Sequence, residues 1–324
     1  MTFIHTPTPY RTIKSLKVSF SILNAFRNCG HFIDFRYIQG HTPVPHSSLD
    51  KGDAREFGTL IHSVVQEWLN TRDEDQVWET FRSLSESMSL RDVEASKLRS
   101  LHHAQLLTEA FLREYLQPQE SFGYPYSFQQ QPGLEGEYSL LLQDSNPRVE
   151  LVFHTDGLLN FPGKLPYLLE IKTSSGNLNN ELTSRMLPNR QILTYYWGLR
   201  QLGLDLLPEM KFLGLCTYRP MVNPGYKYKG RGEEKPLFLI QPVQIPSWSL
   251  PLHERWLEKN IQSMISDIET LDYSDNAPDS CTLWNSKCPF IDVCNSAPAD
   301  RSKKLDLLFY KGPRWKGFAC EFTK

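Results

Sequence analysis

The sequence predicts a mixed α/β (α+β) fold: a small central mixed β-sheet flanked by helices, with helical insertions. Two patterns lead there. Segments with apolar residues at helical spacing stand before and after a run of short strand-like segments. Those strand-like segments are rich in Val, Leu, Ile, Phe and Tyr and are punctuated by Pro, Gly and Asn. Helices on both sides of a strand block build layers of helix on sheet. A chain of 324 residues, 40% of them hydrophobic, can bury a substantial core without staples.

Taken in order, a polar start leads to a helix over 20–40, with Ser19 or Ser21 as its N-cap. Residues 41–53 are Pro- and Ser-rich and read as a loop. A second helix covers 57–70, its apolar face carried by Phe57, Leu60, Ile61, Val64, Val65 and Trp68. Polar helices fill 74–115, and a loop rich in Pro, Gln and aromatics runs to Gly133. Strands follow at 134–143, 148–159 and 167–173, then a helix over 187–202 and a strand over 211–218. A basic, Gly-rich loop over 219–236 leads to a return strand at 237–245 and a helix at 248–271. There is no internal repeat. The organisation expected is one domain over 1–297, with a helical insertion at about 70–120 and a cysteine cluster at 281–294, followed by a basic, aromatic tail over 298–324.

Bulk properties narrow the function. The formal net charge is −2, so any nucleic-acid surface must be local. No run is long enough to span a membrane and no secretory leader stands near Met1, which points to the cytoplasm. Six cysteines are too sparse for a secreted disulfide scaffold, and clustered cysteines in a reducing compartment point to metal or redox chemistry.

The chemistry concentrates in one hairpin. Residues 148–159 (RVELVFHTDGLL) and 167–173 (YLLEIKT) flank Asn160, Pro162, Gly163 and Pro166, a turn signature. An antiparallel pair symmetric about Gly163 sets Asp156 opposite Glu170 and His154 opposite Lys172, with all four on one face. Opposed Cα atoms lie roughly 4.5–5.5 Å apart. Two carboxylates that close repel each other unless a cation sits between them, and Mg²⁺ or Mn²⁺ prefers oxygen ligands. Lys172, two residues beyond Glu170, reaches the same place without competing for the ion, where it would stabilise charge on a phosphate or orient a water. The alternative for a bare E-x-K is a solvated Glu–Lys pair, and a bulge in either strand would undo the register.

Other polar residues flank this set. His62 lies on the 57–70 helix, with Gly58 and Gln66 as its neighbours along the face; it is either a metal ligand or a hydrogen-bonded helix histidine. Gln191 and Tyr195 share a face of the 187–202 helix. Cys281, Cys288 and Cys294 cluster late in the chain, with Cys29 far away on the first helix. Four thiolates suit zinc or an iron–sulfur cluster, not Mg²⁺. The loose spacing disfavours an ordinary zinc finger. Cys216, inside an apolar strand, reads as core, and Cys320 has no nearby partner in sequence.

In this order the pieces resemble the RecB-type branch of the PD-(D/E)XK nuclease superfamily. Ser21 to Cys29 (SILNAFRNC) is similar to its opening helix motif, Gly58-x-x-Ile61-His62 to its G-x-x-x-H motif, and Asp156 with Glu170-Ile171-Lys172 to its metal-binding core. Gln191 to Tyr195 (QILTY) is similar to its Q-x-x-x-Y motif, and Cys288-x5-Cys294 to the end of its C-terminal cysteine cluster. The match covers roughly residues 19–295. The resemblance implies a restriction-endonuclease-like core and metal-dependent hydrolysis of DNA phosphodiesters. It implies His62, Asp156 and Glu170 as metal ligands, Lys172 as catalytic lysine, and Gln191 and Tyr195 as supporting residues. It further implies a 4Fe-4S cluster on Cys29, Cys281, Cys288 and Cys294, fastening the C-terminal segment to the first helix. Two positions depart from the family pattern. Asn285 stands where a cysteine is usual, so Cys281 substitutes from further away, and His154 stands where glycine is frequent.

For DNA contact the sequence offers two basic, aromatic stretches. One is Tyr226-Lys227-Tyr228-Lys229-Gly230-Arg231. The other is the tail, with Arg301, Lys303, Lys304, Lys311, Arg314, Lys316 and Lys324 against Asp300, Asp306 and Glu321. Alternating aromatic and basic residues stack bases and pair phosphates of a single strand; the same residues also suit a solvated face. The expectation is a Mg²⁺- or Mn²⁺-dependent deoxyribonuclease acting on single-stranded ends in DNA repair, recombination or processing, with a helicase or repair partner. The alternatives are a catalytically silent nuclease-fold DNA-binding subunit and a zinc-stabilised interaction protein.

Overall fold

The computed structural model describes residues 11–43, 52–87, 100–115, 124–125, 136–174, 189–216, 227–230, 233–236, 238–273, 281, 288–312 and 317–323. The helices are α1 (Phe20–Asn28), α2 (Gly30–Ile33), α3 (Gly52–Thr71), α4 (Glu74–Ser87), α5 (Leu101–Tyr115), α6 (Arg190–Gln201), α7 (Ser249–Thr270), α8 (Ile291–Cys294) and α9 (Pro298–Leu308). The strands are β1 (Ile13–Ser19), β2 (His41–Pro43), β3 (Tyr124–Pro125), β4 (Gly136–Gln143), β5 (Arg148–Thr155), β6 (Gly157–Asn160), β7 (Tyr167–Ser174), β8 (Glu209–Cys216), β9 (Lys227–Gly230), β10 (Glu233–Pro236), β11 (Phe238–Gln244), β12 (Phe309–Lys311) and β13 (Ala319–Phe322). The class is mixed α/β. None of the described helices is long and apolar enough to cross a membrane.

The chain divides into two compact units. The first comprises Met1–Ser47, Tyr138–Phe153 and Pro251–Lys324. Its sheet has the order β13-β1-β5-β4, with β1 antiparallel to β13 and parallel to β5. Ile13, Leu16 and Val18 of β1 are buried. Ser19 caps α1, its hydroxyl accepting from the Ile22 amide at 3.4 Å. The single helix expected over 20–40 is interrupted: Cys29 takes an extended backbone (φ −161°) between α1 and α2, and Asp34–Ile38 then forms a π-helical turn. A run of helix-compatible residues does not reveal a one-residue break that capping bonds stabilise from both sides.

The second unit comprises Ser48–Glu137 and His154–Leu250. Its five-stranded sheet has the order β11-β8-β7-β6-β3. Strands β7 and β8 are parallel, and the pairs β11–β8, β7–β6 and β6–β3 are antiparallel. Alternate side chains of the central strands (Leu169 and Ile171; Leu213 and Leu215) join one buried cluster with Phe57, Leu60, Ile61, Val64 and Trp68 of α3 and with residues of α4 and α5. The period-2 pattern of the strands thus meets the helical stripe of α3. Glu170 and Lys172 occupy the intervening positions of β7, so the packing of their neighbours fixes which way they point. Helix α6 starts on Asn189, whose side-chain oxygen accepts from the Gln191 amide at 2.8 Å; residues 187 and 188, expected in this helix, lie outside the described residues.

The stretch read as a basic loop over 219–236 contains two short strands, Lys227–Gly230 within the run Tyr226 to Arg231 and Glu233–Pro236, which pair antiparallel. Tyr226 and Arg231 lie outside the described residues, as do Arg314, Lys316, Lys324 and the side chain of Cys216. Of the segment read as a tail, the described residues form α9, β12 paired with β2, and β13 paired with β1.

Candidate functional site

The second unit holds the hairpin. Its turn places Gly163 at φ +74°, a conformation that glycine adopts without strain. The pairs are Gly157↔Leu169, Leu158↔Leu168 and Leu159↔Tyr167. This is the register expected from symmetry about Gly163, and one further step sets Asp156 across from Glu170. Asp156 itself stands at a bend between β5 and β6. One of its oxygens, Oδ2, accepts from the backbone amide of Ile171 at 2.7 Å. That charge-assisted bond ties the carboxylate to the strand carrying Glu170 and Lys172.

The bend overturns one expectation. His154 does not share a face with Lys172. It belongs to β5, on the other side of the break, its side chain is 54% exposed, and its Nε2 lies 3.6 Å from Glu137 Oε2. Side-chain alternation holds only along an unbroken strand, so the four-residue face shrinks to three.

Glu170 is 0% exposed. Neither of its oxygens accepts a well-formed hydrogen bond among the described residues, while the Lys172 ammonium is in close contact with Oε1. Burial, and then the charge of Asp156, push its carboxyl up to about 7, with Lys172 partly offsetting them. Burial alone would lower Lys172, but the charges of Glu170 and Asp156 outweigh it and hold the ammonium above its ordinary value. The lysine therefore stays charged at any physiological pH.

Two more elements reach this place. His62 of α3 sets its Nδ1 3.8 Å from Asp156 Oδ1, each side chain about one-quarter exposed (25% and 22%). From α6, Gln191 Nε2 donates to the Tyr195 hydroxyl at 2.6 Å. Burial, followed by the charge of Glu170, raises the Tyr195 phenol, so it remains a neutral hydroxyl. His62, Asp156, Glu170, Lys172, Gln191 and Tyr195 thus converge in one unit. Gly58, one turn before His62, leaves room that an added Cβ would fill at an ordinary 3.5 Å from Thr173 Oγ1. Sequence reading missed the Ile171 amide as a partner of Asp156, because a backbone donor leaves no mark in residue identity.

Among the described residues no three His, Cys, Asp or Glu side chains form a ready-made metal cage. The donor chemistry nevertheless fits a hard divalent ion. Two carboxylates and an imidazole converge, and among the described residues the buried Glu170 oxygens have only the Lys172 ammonium close by.

The cysteines gather in the first unit. Cys29 Sγ accepts from the Phe32 amide at 3.4 Å and so caps α2. The Cys288 amide donates to the Cys281 carbonyl at 2.8 Å, which draws those two residues together. Cys288 and Cys294 pack against a buried cluster of Phe35, Phe290, Val293, Leu305 and Phe309. All four are free thiols. Burial raises Cys29, and the charges of Cys288 and Cys281 raise it further. Cys294 is pushed up to about 11, by burial first and then by Cys29 and Cys288. Burial raises Cys288 as well. Thiols are ligands of the kind that zinc or an iron–sulfur cluster takes, but among the described residues no three of them form a ready-made metal cage. Cys320 stands apart, raised to about 12 by burial and by Glu269.

A family model described as the PD-(D/E)XK nuclease superfamily matches residues 17–295. No curated protein matches the chain. The mixed α/β architecture agrees with the restriction-endonuclease-like fold of that superfamily, whose members are typically phosphodiesterase nucleases that use divalent ions such as Mg²⁺ on DNA.

Proposed function

This chain belongs to the PD-(D/E)XK nuclease superfamily, and from that premise we propose that it is a Mg²⁺- or Mn²⁺-dependent deoxyribonuclease of the RecB-type branch. It acts as an exonuclease on single-stranded ends in DNA repair, recombination or processing. The observation that carries this reading is the Glu170 carboxylate: wholly buried, without a well-formed hydrogen bond among the described residues, in contact with Lys172, and raised by burial and then by the charge of Asp156. A fold keeps such a group where a cation is to be held.

His62, Asp156 and Glu170 would hold the divalent ion, which supplies positive charge and an acidified water when bound. The chain's own groups do the rest. The Ile171 amide fixes Asp156. Lys172 keeps a permanent positive charge beside the carboxylates, where it stabilises negative charge gathering on a phosphate. Tyr195, held by Gln191, offers a neutral hydroxyl donor that burial prevents from ionising. In the first unit, Cys29, Cys281, Cys288 and Cys294 would carry a 4Fe-4S cluster, which supplies a rigid cross-link between the segment around Cys29 and the segment of Cys281 to Cys294.

Incubating the pure protein with labelled single-stranded DNA and Mn²⁺ tests the activity. Cutting by the native chain, lost in Lys172→Ala and in Asp156→Ala, is the expected result. Tight binding by all three without cutting would identify a catalytically silent DNA-binding subunit instead. A brown preparation absorbing near 400 nm (roughly, as for iron–sulfur centres) is expected; a colourless protein loaded with zinc would overturn the cluster.

A further inference from the structure

Helix α3 carries two stripes. Its apolar stripe, with Phe57, Leu60, Ile61, Val64 and Trp68, packs in the core of the second unit. The other is polar: Ser63, Gln66, Glu67 and Asn70 fall at i, i+3, i+4 and i+7 and so share a face. Helix α4 buries Val77 and Phe81 in the same core. Its Glu79 and Ser83, one turn apart, stand across from that polar face, with Leu84 beside them. Between the two helices these residues line a groove of about 540 Å³. That is the size of a small-molecule site, and none of the residues of the hairpin site or the cysteine site lines it.

Gln66 is the informative residue. It is only 8% exposed, it lines the groove, and its side-chain amide has no hydrogen-bond partner among the described residues. Burying a polar group without a partner costs free energy. The packing of α3 gains nothing from a glutamine there, so the amide serves a group that enters the groove.

The lining says what kind of group. Glu67 and Glu79 bring one carboxylate from each helix, and Ser63, Ser83, Gln66 and Asn70 add neutral acceptors. Among the described residues no lysine, arginine or histidine lines the groove. A phosphate, and with it a nucleic-acid backbone, would meet two like charges there and be repelled. An ammonium group needs up to three acceptors and a counter-charge, and each wall offers both. Leu84 gives a methylene chain a surface to lie on, as the stem of a lysine side chain lies on apolar surface.

We propose that the groove between α3 and α4 binds an aliphatic diamine or polyamine, with one ammonium group on Glu67 beside the Gln66 amide and another on Glu79. The site is independent of the nuclease reading, since it uses neither the divalent ion nor DNA.

The test titrates the full chain with spermidine, and separately with putrescine, by isothermal titration calorimetry at fixed ionic strength without divalent ions. One saturable site is expected. Glu67→Gln and Glu79→Gln should each weaken it about tenfold, the loss typical of a hydrogen bond to a charged group. Gln66→Met, which keeps the length of the side chain and removes its amide, should weaken it about fivefold. Glu79 is exposed, so its substitution leaves the fold intact, and circular dichroism checks the other two. Absence of saturable binding to the native chain at millimolar amine would overturn the proposal. Unchanged affinity in all three variants would also overturn it, because the amine would then sit elsewhere. Displacement of the amine by an equal concentration of Mg²⁺ would do the same, since the groove would then gather any cation. None of these outcomes depends on the cutting assay with Lys172→Ala and Asp156→Ala, so the two readings stand or fall separately.

Discussion

The hairpin site and the cysteine site solve opposite problems. At the hairpin, Asp156, Glu170 and Lys172 come within a short stretch of chain, and the fold places a carboxylate where water is absent. Charge is concentrated there before anything binds, and the raised Glu170 carboxyl reflects that tension. At the cysteine site burial raises Cys29, Cys288 and Cys294, so these three stay neutral thiols. They come from the two ends of the sequence, and the aromatic cluster of Phe35, Phe290 and Phe309 draws them together. The first site is electrostatically strained as it stands; the second, on the proposed reading, would become charged only on binding metal. Metal at the first should therefore govern chemistry, and metal at the second should govern stability.

The largest expected effects separate these roles. Lys172→Ala and Asp156→Ala should each lower the rate of DNA cutting by about 10²–10³-fold, the loss typical of removing a charge-stabilising group. Neither should change the thermal midpoint of the loaded protein by more than a few degrees. Next in size, Cys294→Ser should remove any metal bound at the cysteines and lower stability, because metal binding at such a site adds to folding free energy. Thermal unfolding monitored by circular dichroism, run beside the nuclease assay, checks both. A Cys294→Ser protein as stable as the native chain would break the comparison.

A third effect follows from Glu170 alone. In metal-free protein its carboxyl titrates at about 7, against an ordinary 4.5. Between those values the unfolded chain has released the proton and the folded chain keeps it. Stability contributed by this group is therefore present below about 4.5 and is lost as pH rises through about 7. At 1.36 kcal/mol per unit the loss is about 3 kcal/mol. Glu170→Gln, which cannot ionise, should be more stable than the native chain by about that amount at pH 8 and equal to it only below about pH 4.5, with added Mg²⁺ stabilising only the native protein. Denaturant titrations across this range decide the matter; a constant difference between the two proteins would mean that Glu170 ionises freely.

How much of this could be read from the sequence depends on how local the cause is. The hairpin register was legible because turn residues Asn160 to Pro166 set it from within. The break at Asp156 was not, because a bend in which a carboxylate accepts a backbone amide looks like any Thr-Asp-Gly in a strand. Helix α6 announced itself through its apolar face, whereas the split between α1 and α2 at Cys29 depends on a sulfur cap. The pairing of β13 with β1 joins opposite ends of the chain, and no local pattern encodes a partner so distant. The spacing of Cys281, Cys288 and Cys294 departs from the usual pattern, and nothing in residue identity foretells the bond from the Cys288 amide to the Cys281 carbonyl that brings those two residues together.

The smallest effect tests why Gly58 sits one turn before His62. An added Cβ would meet Thr173 Oγ1 at 3.5 Å, an ordinary contact, and the residue lies inside α3. Glycine in a helix interior costs roughly 0.5–1 kcal/mol relative to alanine. Gly58→Ala should therefore stabilise the protein by about that much, since neither backbone strain nor a close neighbour opposes the change. If cutting is also preserved, the glycine serves no purpose that alanine cannot serve. If stability rises while cutting falls, the space above α3 is needed by substrate and not by the fold, which would extend the hairpin site to the N-terminal side of His62. A loss of stability would contradict the geometry itself, because it would require a clash where the contact distance leaves none.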